Sequence, residues 1–230
     1  MFEIKKYEIS SDITPVVAGY SPSSNKKAVE LARSKGYPFT LGIAPQTAIK
    51  DDISKLDDWT KFIENNEPNA IGEVGLDYKW AQTMEDVEKQ RKVFKRMIEL
   101  SDKMKLPLVI HSRNNPVENK VPKNAIDEII QTLKGKKILM HFFSGTEEQA
   151  VEIVKNGGYI SVTHLHSKER RKVINNIRLD RLVLESDSPY VGKTPETIRD
   201  AVTYIAEIKG IDAEEVAAKT TENAKRFFRF

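Results

Sequence analysis

Short apolar runs rich in β-branched residues alternate with amphipathic stretches along the whole chain. Ile13–Ala18, Phe39–Ile43, Ala70–Val74, Leu106–His111, Lys137–Phe142, Tyr159–Thr163 and Arg181–Glu185 read as strands, their starts about one βα unit apart. Most are nearly continuously apolar, the pattern of strands covered on both faces. The stretches between them carry helix signals. Ser21-Pro22 supplies a cap and a proline at the first helical position, and Gly36 closes that helix. Glu85–Lys105 is the longest helix, with Val87, Phe94, Met97 and Ile98 on its inner face. Asp212-Ala213-Glu214-Glu215 has the form of a capping box, opening a terminal helix that turns Val216, Thr220, Ala224, Phe227 and Phe228 inward.

Seven βα units in series predict one α/β domain over residues 1–230, a TIM-barrel-like (βα) barrel rather than an open sheet. Its regular first unit is missing or altered. Phe2–Ile9 has β character, but only Ser10, Ser11 and Asp12 separate it from Ile13, and a parallel crossover needs about a dozen residues. The segment then pairs antiparallel, hangs free or completes a neighbouring protomer, unless Met1 is an internal start and the first strand is encoded upstream. An open barrel exposes unpaired edges, which favours a homodimer.

Composition narrows the classes. The 230 residues are 39% hydrophobic and 31% charged, enough for a core beneath a densely ionic surface. The 37 Lys and Arg against 34 Asp and Glu give +3, too mild to diagnose nucleic-acid binding, since a basic groove can hide in that average. The absence of cysteine excludes disulfides, thiolate ligands and cysteine nucleophiles, and with abundant Lys and Glu leans toward an intracellular protein from a hot environment. No apolar run nears the roughly 18 residues of a membrane span, and the N-terminus has no signal-peptide core. The expectation is a soluble cytoplasmic protein with no membrane partner.

Four of the runs lead to residue types that bind metal: Glu73, His111, His141 and Asp187. In a parallel barrel such strand tips converge on one face, so a hydrolytic metal site is the leading reading. Each residue also has a plainer role. Glu73 could form a strand-end salt bridge, although its flanking glycines would let a metal approach the backbone. A lone strand-end histidine is usually a satisfied core residue. Asp187, in Glu185-Ser186-Asp187-Ser188-Pro189-Tyr190, could bind metal and take a proton from bound water, or make a local turn bond ahead of Pro189. Asp77 could accept from a ligating imidazole or cap a helix. Arg113 could hold a phosphate or pair with a nearby acid. His164 and His166 share a face and could reach one ion, though free surface histidines are the plainer reading. Two imidazoles and carboxylates suit Zn²⁺, Mn²⁺ or Ni²⁺ better than Mg²⁺.

Ile71–Tyr78 (Ile-Gly-Glu-Val-Gly-Leu-Asp-Tyr), His111-Ser112-Arg113, His141-Phe142-Phe143-Ser144-Gly145, Glu185–Tyr190 and the ending Thr221–Phe228 resemble, in order and spacing, the TatD family of metal-dependent deoxyribonucleases. The resemblance implies an amidohydrolase-like barrel that hydrolyses DNA phosphodiesters with two divalent metals. Glu73 would bridge the metals, His111 and His141 would hold one, and Asp187 would hold the other and act on the nucleophilic water. Asp77, Arg113 and Ser144 would fall on the substrate side.

Two departures stand out. The family's His-x-His on the first strand has no counterpart, and its Gly-Ile-His-Pro-His reads Gly42-Ile43-Ala44-Pro45-Gln46. Glu73, His111 and His141 would still form a three-ligand set with room for water. A one-metal or asymmetric site with reduced nuclease activity follows, unless His164, His166 or a neighbouring chain compensates. The competing readings are an amide or lactone hydrolase, and a non-catalytic descendant that binds nucleic acid or a partner.

Overall fold

A computed structural model describes residues 9–230 and divides the chain into two compact units. The first is Val16–Leu139; the second is Met140–Phe230 with the described residues up to Pro15. The expected strand over Phe2–Ile9 lies outside the described residues apart from its last position.

In the first unit, β1 (Val17–Ala18), β2 (Phe39–Leu41), β3 (Ala70–Asp77) and β4 (Leu108–Arg113) follow one another in chain order, and β5 (Ile138–Met140) runs across the boundary at Leu139. The first four are parallel neighbours, with Val17 opposite Phe39, Thr40 opposite Ala70 and Ile71 opposite Leu108. The helices α1 (Pro22–Lys35), α2 (Pro45–Lys50), α3 (Leu56–Asn66), α4 (Met84–Met104) and α5 (Ala125–Thr132) connect them. Leu41, Ile71, Leu76, Leu108 and Ile110 are fully buried, as their nearly unbroken apolar runs require.

The caps of α1 form as read: Ser21 bonds the Ser24 amide and Gly36 takes the left-handed conformation. Along α4, Val87, Phe94 and Met97 are buried, whereas Ile98 is half-exposed and Gln90, a polar residue, is buried. The Tyr78 hydroxyl donates to Glu128 Oε2 at 2.5 Å, and Arg91 grips the same carboxylate with two bonds of 2.7 and 2.8 Å. Burial opposes ionisation of Glu128, but Arg91 and the Tyr78 hydroxyl outweigh it and hold its pKa below the ordinary range. Its folded value therefore lies under the unfolded one. The resulting stabilisation is present above the ordinary glutamate range and lost as pH falls through the folded value. Glu128→Gln is expected to destabilise most near neutral pH, with the gap to the parent closing in acid. Urea midpoints at a series of pH values measure this, and a gap constant with pH would exclude the linkage.

In the second unit, β6 (Tyr159–Val162) and β7 (Leu182–Leu184) are parallel, with Ile160 opposite Leu182. The helices are α6 (Glu147–Lys155), α7 (Lys168–Asn176), α8 (Ile198–Lys209) and α9 (Ala213–Phe228). Val216, Thr220, Phe227 and Phe228 of α9 are buried as expected, but Ala224 is only half-buried. The inward position is taken by Asn223, whose amide donates to the Leu179 and Leu182 carbonyls at 2.8 Å each. The capping box does not form: Asp212 occupies the N-cap but makes no side-chain cap bond. Among the described residues no helix is long and apolar enough to cross a membrane.

Candidate functional site

Glu73 and His111 sit inside strands rather than at their tips, because β3 continues to Asp77 and β4 to Arg113. The register between β3 and β4 shifts between Ile71 and Val74, around Glu73. The neighbouring glycines serve close backbone packing. A Cβ on Gly75 would come within 2.0 Å of the His111 carbonyl oxygen, and one on Gly72 within 2.5 Å of Val109 Cβ. Gly42 backs the same strand, where a Cβ would meet the Glu73 carbonyl oxygen at 2.6 Å. Fully buried Asn25 of α1 holds Gly42 in turn, donating to its carbonyl at 3.0 Å.

This packing leaves the His111 ring between two carboxylates: Nδ1 lies 2.7 Å from Glu73 Oε1 and Nε2 lies 2.8 Å from Asp77 Oδ2. Asp77 is the anchored one. It is 0% exposed, its Oδ1 takes the Trp80 amide at 3.0 Å, and Gln46 Nε2 donates to its Oδ2 at 2.7 Å. Gln90 fixes its backbone from α4, accepting the Asp77 N–H and donating to the Asp77 carbonyl. Burial would lower the imidazole pKa, but the bonds and charges of Asp77 and Glu73 raise it. Burial would likewise raise the Asp77 pKa, and His111, Arg113 and the Trp80 amide hold it below the carboxylate norm. Arg113 stands 3.8 Å from Asp77, half-exposed. Lys50 Nζ lies 4.7 Å from the ring centroid of Trp80, which is 43% exposed.

The second unit repeats the motif. His141 follows β5 directly, with Nδ1 2.5 Å from Glu185 Oε2 and Nε2 3.9 Å from Asp187 Oδ1. Glu185 is anchored by the Phe142 amide, which donates to its Oε1 at 2.6 Å. Phe142 and Asp187 both have left-handed backbones, with φ of 44° and 47°. The Tyr190 and Val191 amides bond the Asp187 carbonyl at 2.9 Å, so the main chain makes the turn while the side chain lies toward His141. Ser144 is exposed, and the His166 ring stacks on Tyr204 at 3.8 Å. His164 Nδ1 is shut from solvent with no hydrogen-bond partner among the described residues.

Of the residues expected from the sequence, the structure pairs His111 with both Glu73 and Asp77, and His141 with Asp187. It adds Glu185, Gln46 and Gln90, which sequence reasoning missed. Among the described residues no three histidine or carboxylate side chains form a closed metal-holding group. The donor chemistry nevertheless fits a divalent cation. In each unit one ring nitrogen is tied to an anchored carboxylate while the other faces a second carboxylate, the arrangement that orients metal-binding imidazoles.

The whole chain matches known proteins. Residues 3–229 fit the model of the family described as TatD related DNase. The uncharacterized metal-dependent hydrolase YabD of Bacillus subtilis is 33% identical over 93% of this chain and 86% of its own. Human deoxyribonuclease TATDN3 is 34% identical over 81% of this chain and 70% of its own. Among solved structures, the TatD homologue YjjV of Escherichia coli superposes with a TM-score of 0.80 at 22% identity, covering 94% of this chain and 86% of that one. A TatD family hydrolase of Entamoeba histolytica gives 0.75 at 25%, covering 92% and 83%. The fold is therefore α/β and TIM-barrel-like, of the metal-dependent hydrolase type. The chain belongs to the TatD-related DNase family and is a metal-dependent hydrolase.

Proposed function

We propose that this chain hydrolyses DNA phosphodiesters as one catalytic domain spanning residues 1–230. The observation that carries the proposal is the pair of imidazoles, His111 and His141, each braced on one side by an anchored carboxylate and facing another. The names of its relatives, deoxyribonuclease TATDN3 among them, support DNA as the substrate.

Glu73, His111, His141 and Asp187 would hold the metal, one or two ions per chain, with imidazole content favouring Zn²⁺, Mn²⁺ or Ni²⁺ over Mg²⁺. When bound, such an ion would supply Lewis-acid chemistry, polarising a phosphoryl oxygen and lowering the pKa of water toward about 7. Asp77 and Glu185 fix the orientation of the two rings. The carboxylates of Asp77 and Glu73 raise the His111 pKa and so favour its protonated ring, and a nitrogen can serve as donor only once its proton is gone. Asp187 accepts the proton of the attacking water, and Arg113, half-exposed beside Asp77, orients a phosphate oxygen. All four histidines of the chain are His111, His141, His164 and His166, so the family's first-strand His-x-His has no counterpart here. We infer reduced activity from a one-metal or asymmetric site.

The test is metal content per chain together with turnover of single-stranded DNA in Mn²⁺, Mg²⁺ or Zn²⁺, with amides and lactones in parallel. DNA cleavage lost on chelation and restored by a divalent ion is the expected result. Turnover of an amide or lactone without DNA cleavage would move the substrate assignment, and no turnover with any ion would leave a binding protein.

A further inference from the structure

The loop after β6 and the first turn of α7, from Thr163 to Arg170, hold two polar side chains short of partners. His164 Nδ1 is buried without a hydrogen bond among the described residues. Arg170, half-buried, donates Nη1 to the Leu165 carbonyl at 2.6 Å and lies 5.3 Å from the Phe142 ring. No carboxylate of the described residues pairs with it within 4.0 Å. A guanidinium carries five N–H donors in a planar fork, and withdrawing it from water with most of them unused is unfavourable. Arg91, by contrast, grips Glu128 and Glu88; Arg181 is in a similar state, with one bond to the Gly157 carbonyl and the Tyr159 ring 5.2 Å away, but it precedes β7 at the strand end opposite Asp187.

What would satisfy the fork is a group bringing two or more anionic oxygens. A metal ion is disfavoured, because the guanidinium sits at the peptide next to His164 and repels a second cation. The position suits a substrate group, since Phe142, beneath Arg170, directly follows His141. We propose that Arg170, assisted by His164, anchors a phosphate of the bound DNA strand. The assignment rests on the phosphodiester reading above and adds a strand-holding contact separate from Arg113.

The test uses the full chain in EDTA with a fluorescein-labelled single-stranded oligodeoxynucleotide, its Kd measured across salt concentrations. Arg170→Met keeps an apolar stem over Phe142 and removes the charge. It is expected to weaken binding about tenfold or more, and to reduce the slope of log Kd against log salt by about 0.7, the value for one phosphate contact on single-stranded DNA. Arg170→Lys should keep the slope but recover only part of the affinity, lacking the fork. His164→Ala should lose less. Arg178→Met is the control for lost charge, because Arg178 is exposed, pairs with Asp180 and precedes β7 at the strand end opposite Asp187. In turnover with added metal, the Arg170→Met loss should fall on KM. A wild-type chain that cleaves DNA while Arg170→Met matches its KM, Kd and salt slope overturns the anchor alone. If Arg170→Met fails to fold, wild-type affinity in Arg170→Lys overturns it equally. Binding without cleavage in any metal removes the hydrolase reading and leaves the anchor; no binding by the wild type overturns both.

Discussion

Replacing His141 with alanine is expected to cut DNA hydrolysis by more than about a hundredfold and to lower the divalent metal retained per chain. The magnitude follows from its place in the cluster. His141 joins Glu185, held by the Phe142 amide, to Asp187 across the two nitrogens of one ring. Removing the ring takes away a nitrogen donor and leaves two carboxylates facing each other, which opposes the ordered arrangement. Losing only an orienting partner of a metal-binding histidine typically costs about 10–100-fold in affinity or activity. Glu185→Gln is thus expected in that range and His141→Ala beyond it. Elemental analysis of purified protein and initial rates check both. Parental metal content and turnover in His141→Ala would remove it from the metal set.

The largest stability effect is expected at Phe227. Its side chain in α9 is fully buried, meeting Tyr159 edge-on at 5.6 Å and Phe228 at 4.9 Å. Phe227→Ala opens a cavity against the start of β6 and forfeits both ring contacts, a loss of about 3–5 kcal/mol. For a chain of this size, that corresponds to a fall in Tm of roughly 6–20 °C. Calorimetry and urea titration measure it, and a change below about 1 kcal/mol would mean that α9 repacks around the gap.

Most strands were legible because their apolar runs are nearly unbroken, a pattern only buried parallel strands sustain. The end of the third strand was read too early. The apolar run breaks at Gly75, yet the chain stays in the sheet to Asp77, with Gly75 packed on the His111 backbone. Glu73, His111, His141 and Asp187 stood out because charged or titratable residues interrupt apolar segments there. Their supports did not. Gln90 is a polar residue on a charged helix, and nothing in its spacing reveals that both amide atoms grip the Asp77 backbone. Gln46 reads as a departure from the family pattern, although its amide reaches Asp77 and lies 3.3 Å from His111. Glu185 had one available signal, its position two residues before Asp187. Asp212 shows the opposite error: the right residue types in capping order formed no cap bond.

Trp80 ties the chemistry to light. Its backbone amide is bonded to the carboxylate that braces His111, and its half-exposed indole carries the Lys50 ammonium on its face. The chain has one other tryptophan, Trp59 on α3. With Trp59 replaced by phenylalanine, emission comes from a single indole one hydrogen bond from the His111 cluster. Movement of Asp77 as an ion or strand arrives would alter that emission, so occupancy can be followed in real time without any attached label.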